Sequence, residues 1–137
     1  MGRQRHKTSQ YPMKIESYRQ LQVWQKAVRL VTEVYRISRV FPKEETFGLT
    51  SQTRRAAVSV PANIAEGWGR NMSREYVQFL RVARGSLLEL ETHLEIARNL
   101  GYLGNPMHEM LLEKTQELNK MLNSMIQALS KSMTKDE

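Results

Sequence analysis

The stretch LRVARGSLLELETHLEIA, residues 80–97, carries the clearest structural signal in the chain. Its apolar residues follow a seven-residue repeat, which is typical of a helix that packs along one side. They are Leu80, Ala83, Leu87, Leu90, Leu94 and Ala97. We expect this helix to begin near Ser73, which can act as an N-cap. Gly85 and Ser86 in its middle are small enough to let another backbone approach closely. The stretch therefore predicts a long helix within a bundle.

The preceding segment, residues 45–68, is predicted to be a second helix that carries a proline. Pro61 has no N–H and crowds the carbonyl of Ala57, so we expect a kink. Asn63 can hydrogen-bond backbone groups that the kink leaves unpaired, and Gly67 suits a helix exit. The glycines here do not form a dinucleotide fingerprint, because the third glycine is missing and the stretch follows a helix. We interpret it as a structural kink and not as a phosphate-binding loop.

The first helical segment runs from residue 17 to the Phe41-Pro42 pair and carries two adjoining apolar stripes. One stripe consists of Leu21, Trp24, Val28, Val31 and Tyr35. The other consists of Val23, Ala27, Leu30, Val34 and Ile37. The core of one bundle can bury one stripe, so the other must be covered by something else. We expect Val23, Leu30 and Val34 to lie on the stripe that needs a second copy of the chain.

A fourth helix is predicted from Pro106 to about Lys131, and it is rich in methionine. Four helices with short connections predict an all-α fold, an antiparallel up-down four-helix bundle. The predicted domain organisation is a flexible basic N-terminal tail over residues 1–16, the bundle over 17–131 and a C-terminal tail over 132–137.

Several kinds of chemistry find no support in the sequence. There is no cysteine, which excludes disulfides, thiolate metal sites and cysteine nucleophiles. His6, His93 and His108 lack metal-binding spacing, so we expect surface residues, no metal and no cofactor. Glu66 and Glu89 lie among small or apolar residues, and we expect Arg55 and Arg84 to pair with them rather than an acid–base reaction. The chain is predicted to be a soluble, cytoplasmic protein that is not an enzyme, without membrane-spanning or secretory segments.

The charge of the chain favours a polyanionic partner. The net charge is +7, and residues 1–40 account for all of it, with nine basic and two acidic side chains. Arginine and lysine bind phosphate oxygens, and Trp68 could offer a stacking surface for a base. The predicted nucleic-acid contacts are Lys14, Arg19, Lys26, Arg29, Arg36, Arg54, Arg70, Arg74 and Arg81.

Two motifs carry a resemblance to a known family. The stretch RRAAVSVPANIAEG (residues 54–67) and the stretch FLRVARGSLLEL (residues 79–90) closely resemble the four-helix bundle family of 23S rRNA intervening-sequence proteins. The match runs from about Tyr18 to Leu103 and excludes the basic tail. The motif residues to which we assign a structural role are Arg55, Pro61, Asn63, Glu66, Gly67, Arg84, Gly85, Ser86 and Glu89. The resemblance implies a homopentamer without established enzymatic activity. The family is similar in fold to the accessory protein of diversity-generating retroelements, which works with a reverse transcriptase.

Two functions follow from these observations. The first is a non-enzymatic, oligomeric protein that binds nucleic acid, RNA more than DNA, through a basic surface. The alternative is an accessory subunit of a reverse transcriptase or another protein, which would dock on the methionine-rich fourth helix or on an end of the bundle. The hypothesis of an enzyme that uses Glu66 and Glu89 is the least favoured.

Overall fold

A computed structural model describes residues 14–136, with side chains through residue 133. Within that range the chain forms four α-helices and no strand: α1 (Gln22–Ile37), α2 (Leu49–Trp68), α3 (Ser73–Asn99) and α4 (Asn105–Asp136). Short 3-10 turns precede and follow α1. The predicted all-α class is confirmed, and α4 continues beyond its predicted end at residue 131. Residues 1–13 and 137 lie outside the described residues.

The four helices share one apolar core. Contacts join α1 to α2, α2 to α3, α3 to α4, and α4 back to α1. The seven-residue repeat of α3 faces this core, since each of its six predicted residues is at most 1% exposed. From α4, the core receives Leu111, Leu118 and Leu122. The repeat therefore identified the inner side of α3 correctly.

The expectation for α1 was wrong as to which stripe is buried. Val23, Leu30 and Val34 are 3%, 2% and 0% exposed within the single chain. The other stripe is the one left partly uncovered, with Trp24, Val28 and Val31 half-buried and Tyr35 42% exposed. Both stripes are apolar, so only the positions of α2 and α4 decide which one faces inward.

Local interactions fix the ends of the helices. The helix α3 begins after Met72, which makes no side-chain cap, so the predicted capping role of Ser73 was wrong. At the other end of α3, Gly101 has a φ of +82°, and the N–H of Tyr102 donates to the carbonyl of Ala97 at 2.9 Å. This is a Schellman motif, for which glycine suits the left-handed position.

Glu45 joins the connection before α2 to the connection after α3. One carboxylate oxygen of Glu45 accepts the backbone N–H of Leu49 at 3.0 Å and so caps α2. Its other oxygen accepts the hydroxyl of Tyr102 at 3.1 Å. Burial and this hydrogen bond raise the pKa of Tyr102. The two connections therefore lie side by side at one end of the fold.

The segment around Pro61 forms part of a continuous helix. Pro61 is buried, and α2 extends on both sides of it. The side-chain amide of Asn63 donates to the carbonyl of Ser59 at 2.8 Å and to its hydroxyl at 2.9 Å. Asn63 thus bonds to the turn that precedes Pro61, although not to the carbonyl of Ala57 that the proline leaves without its helical partner.

Gly67 and Gly85 differ in what surrounds them. A Cβ on Gly67 would lie 2.8 Å from the Cβ of Phe79 and 3.0 Å from the ring of Tyr76, so the start of α3 packs directly against this glycine. A Cβ on Gly85 would meet nothing within 4 Å. The close approach expected at Gly85 is therefore not made by the described part of the chain itself.

Candidate nucleic-acid interface

Several predicted nucleic-acid residues are held by contacts within the chain. Arg54 is the clearest case. Its Nε donates to the hydroxyl of Ser38 at 2.8 Å and its Nη2 to the carbonyl of Tyr35 at 3.3 Å. Its guanidinium also lies 4.6 Å from the centre of the Tyr35 ring. Arg54 therefore ties α2 to the last turn of α1, where carbonyl groups lack helical partners.

Arg70 and Arg19 are also engaged by neighbouring groups. Arg70 forms an ion pair with Glu66 at 3.1 Å and lies 4.9 Å from the centre of the Phe79 ring. Arg19 lies 5.7 Å from the ring centre of Tyr18 and 5.5 Å from that of Trp24. Both guanidinium groups remain accessible at the surface, so they can still meet a phosphate. Arg74 is exposed and also interacts within the chain.

A groove between α1 and α4 gathers another group of cations. Its volume is about 350 Å³, and Lys26, Arg29, Arg36 and Lys114 line it. Lys26 pairs with Glu117 of α4 at 3.1 Å, and Arg36 pairs with Glu33 at 3.1 Å. Arg29 is exposed and has no hydrogen-bond or ionic partner among residues 14–133. The groove therefore contains both paired and unpaired positive charge.

The remaining residues that were predicted to contact nucleic acid have side chains exposed to solvent. The side chains of Lys14 and Arg81 are exposed and make no ion pair with the described side chains. Among the cations that the sequence reasoning did not select, Arg39 after α1 and Lys114 on α4 have the same character. Lys114 lies in a segment whose net charge is slightly negative, so charge counting along the chain gave no signal for it. Trp68 is half-buried at the end of α2.

The ion pairs expected among the motif residues are absent from the described side chains. Glu66 pairs with Arg70, and Arg84 donates to Asn123 of α4 at 2.8 Å. Arg55 is exposed without a partner in this part of the chain. Glu89 is exposed, and its nearest ionic contact is His93 at 3.9 Å. The expected pairing of Glu66 and Glu89 with Arg55 and Arg84 is therefore not formed, and both glutamates lie exposed on the outer sides of their helices.

The two quoted motifs meet where α2 packs on α3. The hydroxyl groups of Ser59 and Ser86 lie 2.8 Å apart. A shallow depression above them is lined by Gln52, Arg55 and Glu89 as well. Ser86 is thus the small residue that permits close packing of these helices.

Two histidines are buried, contrary to expectation. His93 is 8% exposed and His108 is 7% exposed. The Nε2 of His108 lies 3.2 Å from Glu95, and the hydrogen bond from Arg98 lowers the pKa of this glutamate. No group of three or more potential metal ligands occurs among the residues that the structure describes.

The methionines of α4 mostly pack inward. Met110, Met121 and Met125 are partly buried against the core, whereas Met107 is 38% exposed. The outer surface of α4 thus offers little apolar area to a protein partner.

No helix within the described range is both long and apolar enough to cross a bilayer.

Comparisons with known proteins agree with the fold. The family model of the 23S rRNA-intervening sequence protein matches residues 19–124. A solved structure from Bacteroides thetaiotaomicron, a protein of unknown function from the S23 ribosomal protein family, superposes with a TM-score of 0.72 at 24% identity. The match covers 77% of this chain and 95% of that one, and it supports the fold alone. No curated protein matches.

Proposed function

The chain belongs to the family of 23S rRNA-intervening sequence proteins, and we propose that it is a cytoplasmic, non-enzymatic protein that binds RNA as a homo-oligomer. The observation that carries this proposal is the set of exposed cations without acidic partners in the described chain. Arg29 and Arg39 supply such charge near α1, and Arg81 supplies it on α3. Together with the basic residues before Lys14, they create a positive field that attracts phosphates.

The partly uncovered stripe of α1 supports self-association. Val58 of α2, which is 41% exposed, lies one turn after Arg54 and therefore on the same side of the fold as Tyr35. Trp24 and Val31 continue this apolar surface along α1, and Val28 lies at its border with the α1–α4 groove, which it also lines. We call this surface, made of Trp24, Val28, Val31, Tyr35 and Val58, the α1–α2 face. Burying it against a second copy would stabilise an assembly.

A ring of identical subunits joins two different surfaces of each copy. The outer side of α3 offers a second one, since Val82, Leu88 and Ile96 are 51%, 48% and 41% exposed. Gly85 lies among them with open space above it. We propose that the α1–α2 face of one copy packs on the outer side of α3 of the next, centred on Leu88 and Ile96, in the pentamer that the family resemblance implies. Arg81, about two turns before Leu88, lies outside this contact and stays exposed.

An antiparallel up-down order of the helices completes the proposed architecture. The side-by-side connections at Glu45 and Tyr102 favour it, because they place the end of α1, the start of α2, the end of α3 and the start of α4 at one end. In that order the α1–α2 face runs along α1 from Trp24 to Tyr35, with Val58 of α2 beside it.

An RNA-binding titration tests the proposal. A fluorescently labelled RNA hairpin is titrated with protein at low and moderate salt. We expect binding at micromolar protein in low salt and a steep loss of affinity as salt rises, because phosphate contacts release counterions. The double variant Arg29→Gln/Arg81→Gln should bind more weakly at every salt concentration. Absence of binding by the wild-type protein at low salt would remove the proposal.

The accessory-subunit alternative predicts a different result. If the chain acts only through a protein partner, the titration should show no RNA binding at low salt. Docking on α4 would require an exposed apolar surface there, where most described methionines face the core, whereas docking on an end of the bundle does not require it. For these reasons we favour RNA as the ligand.

A further inference from the structure

Charged residues of both signs line the groove between α1 and α4, and the proposed function does not explain their arrangement. From α1 it receives Lys26, Arg29, Glu33 and Arg36, and from α4 it receives Lys114 and Glu117. Four cations and two carboxylates leave an excess of two positive charges. No aromatic side chain is among the residues that line it.

The carboxylates engage half of the cations. Glu117 holds Lys26 at 3.1 Å across the groove, and Glu33 holds Arg36 at 3.1 Å along α1. Arg29 and Lys114 have no such partner among the described residues. The groove therefore has two cations ready for an anion and two more that an anion could recruit by competing with a carboxylate.

The dimensions of the groove suit an extended polyanion. Lys26 and Arg36 are ten residues apart on α1, which corresponds to about 15 Å along the helix axis. A nucleic-acid strand carries a phosphate about every 3.4 Å along a duplex, so several phosphates could lie along this distance. Because the groove has no aromatic side chains, it can contact the phosphate backbone but cannot bind unpaired bases by stacking.

We infer that the α1–α4 groove binds the phosphodiester backbone of RNA. Arg29 and Lys114 contact phosphates directly, while Lys26 and Arg36 join them when phosphate oxygens displace Glu117 and Glu33. Recognition at this site is independent of base sequence. The inference rests on the proposed function and assigns its ligand to one place on the molecule.

Glu117 should then weaken RNA binding, although it is not a ligand. It repels phosphate and holds Lys26 in a competing ion pair. Glu117→Gln removes both effects and keeps the size of the side chain. This substitution should therefore tighten RNA binding, a result that a role in stability alone would not produce.

The test compares three variants with the wild-type protein in the RNA hairpin titration. Arg29→Gln/Lys114→Gln should lower affinity about tenfold or more at low salt and reduce the slope of log affinity against log salt by about two. Glu117→Gln should raise affinity severalfold. The matched control, Arg55→Gln/Lys131→Gln, removes two exposed charges that do not line the groove and should have a clearly smaller effect. Circular dichroism melts verify that each variant is folded.

The outcomes separate the two proposals. If the wild-type protein binds no RNA at low salt, the proposed function fails. If the wild-type protein binds RNA but the groove variant and the control lose affinity equally, the RNA-binding function stands and the groove inference is overturned. Unchanged or weaker binding by Glu117→Gln would also contradict the groove inference.

Discussion

The two stripes of α1 are both apolar but have different surroundings. Val23, Ala27, Leu30 and Val34 are at most 3% exposed, because α2 and α4 pack over them. One residue further along the helix, Trp24, Val28 and Val31 are only half-buried. Because hydrophobic stabilisation depends on the area removed from water, the first stripe stabilises the single chain. The second has apolar area left for another molecule.

This difference separates stability from assembly. A substitution in the buried stripe of Val23, Ala27, Leu30 and Val34, the inner stripe, should lower the free energy of unfolding of the chain itself. A substitution in the α1–α2 face should leave the chain folded and alter its association with other copies. The same contrast between filled and open surroundings recurs at the glycines and the arginines.

The largest effect is expected from the inner stripe. Leu30→Ala should lower the free energy of unfolding by about 2–5 kcal/mol, since it leaves a cavity in a packed core. Val28 belongs to the outer stripe, which is only half-buried, so Val28→Ala should lower the free energy of unfolding of the monomer by less than about 1 kcal/mol. Urea unfolding at one low protein concentration measures both. Equal losses would mean that the two stripes are not as different as the structure indicates.

The next contrast concerns the glycines. Gly67→Ala should destabilise the chain by about 1–3 kcal/mol, because the new methyl group overlaps Phe79 and Tyr76. In the single chain, at low protein concentration, Gly85→Ala fills open space and should stabilise the chain by up to about 1 kcal/mol through helix propensity. Thermal melts of the two variants at that concentration should shift in opposite directions. A loss of stability in Gly85→Ala there would show that this position is not open in the single folded chain.

Arg54 and Arg81 extend the comparison to charged residues. Arg54→Gln removes the bonds to Ser38 and Tyr35 and should cost about 1 kcal/mol of stability. Arg81→Gln should leave stability unchanged within about 0.5 kcal/mol and weaken RNA binding. Melts and RNA titrations of both variants separate these roles. If Arg54→Gln left stability unchanged and reduced only RNA binding, its main role would be ligand contact.

The smallest effect is expected at alkaline pH. Burial raises the pKa of Tyr76 to about 12, above the value of 10.0 for an exposed tyrosine. The folded chain therefore favours the protonated phenol, so stability should fall as pH rises from about 10 to 12. Tyr76→Phe cannot ionise and should lose less stability over this range, while the two proteins should be similar at pH 7. Parallel pH dependence of the two melting temperatures would contradict this assignment.

The sequence predicted helices more accurately than contacts between them. The repeat in residues 80–97 identified the buried side of α3 because that helix has a single apolar stripe. On α1, two stripes of similar hydrophobicity left the choice to the packing of α2 and α4, which no local pattern encodes. The burial of His93 and His108 was missed for the same reason, since their cover comes from other helices.

The candidate site was predicted by residue type more than by arrangement. Charge counting found the basic residues of α1. It could not find that Arg54 binds the end of α1, nor that Lys114 of α4 lies across the groove from Arg29. Such pairings depend on residues far apart in the chain, and they appear only when the helices are assembled.

We propose that the α1–α2 face is a surface for self-association, and light scattering measures the mass of the assembly that it would form. The wild-type protein should have a solution mass several times that of the 16.0 kDa chain. Val28→Lys/Val58→Lys should reduce it to one chain with helical content retained, while Val40→Lys, at a residue 75% exposed outside this face, should leave the assembly intact. A wild-type mass of a single chain would contradict the claim.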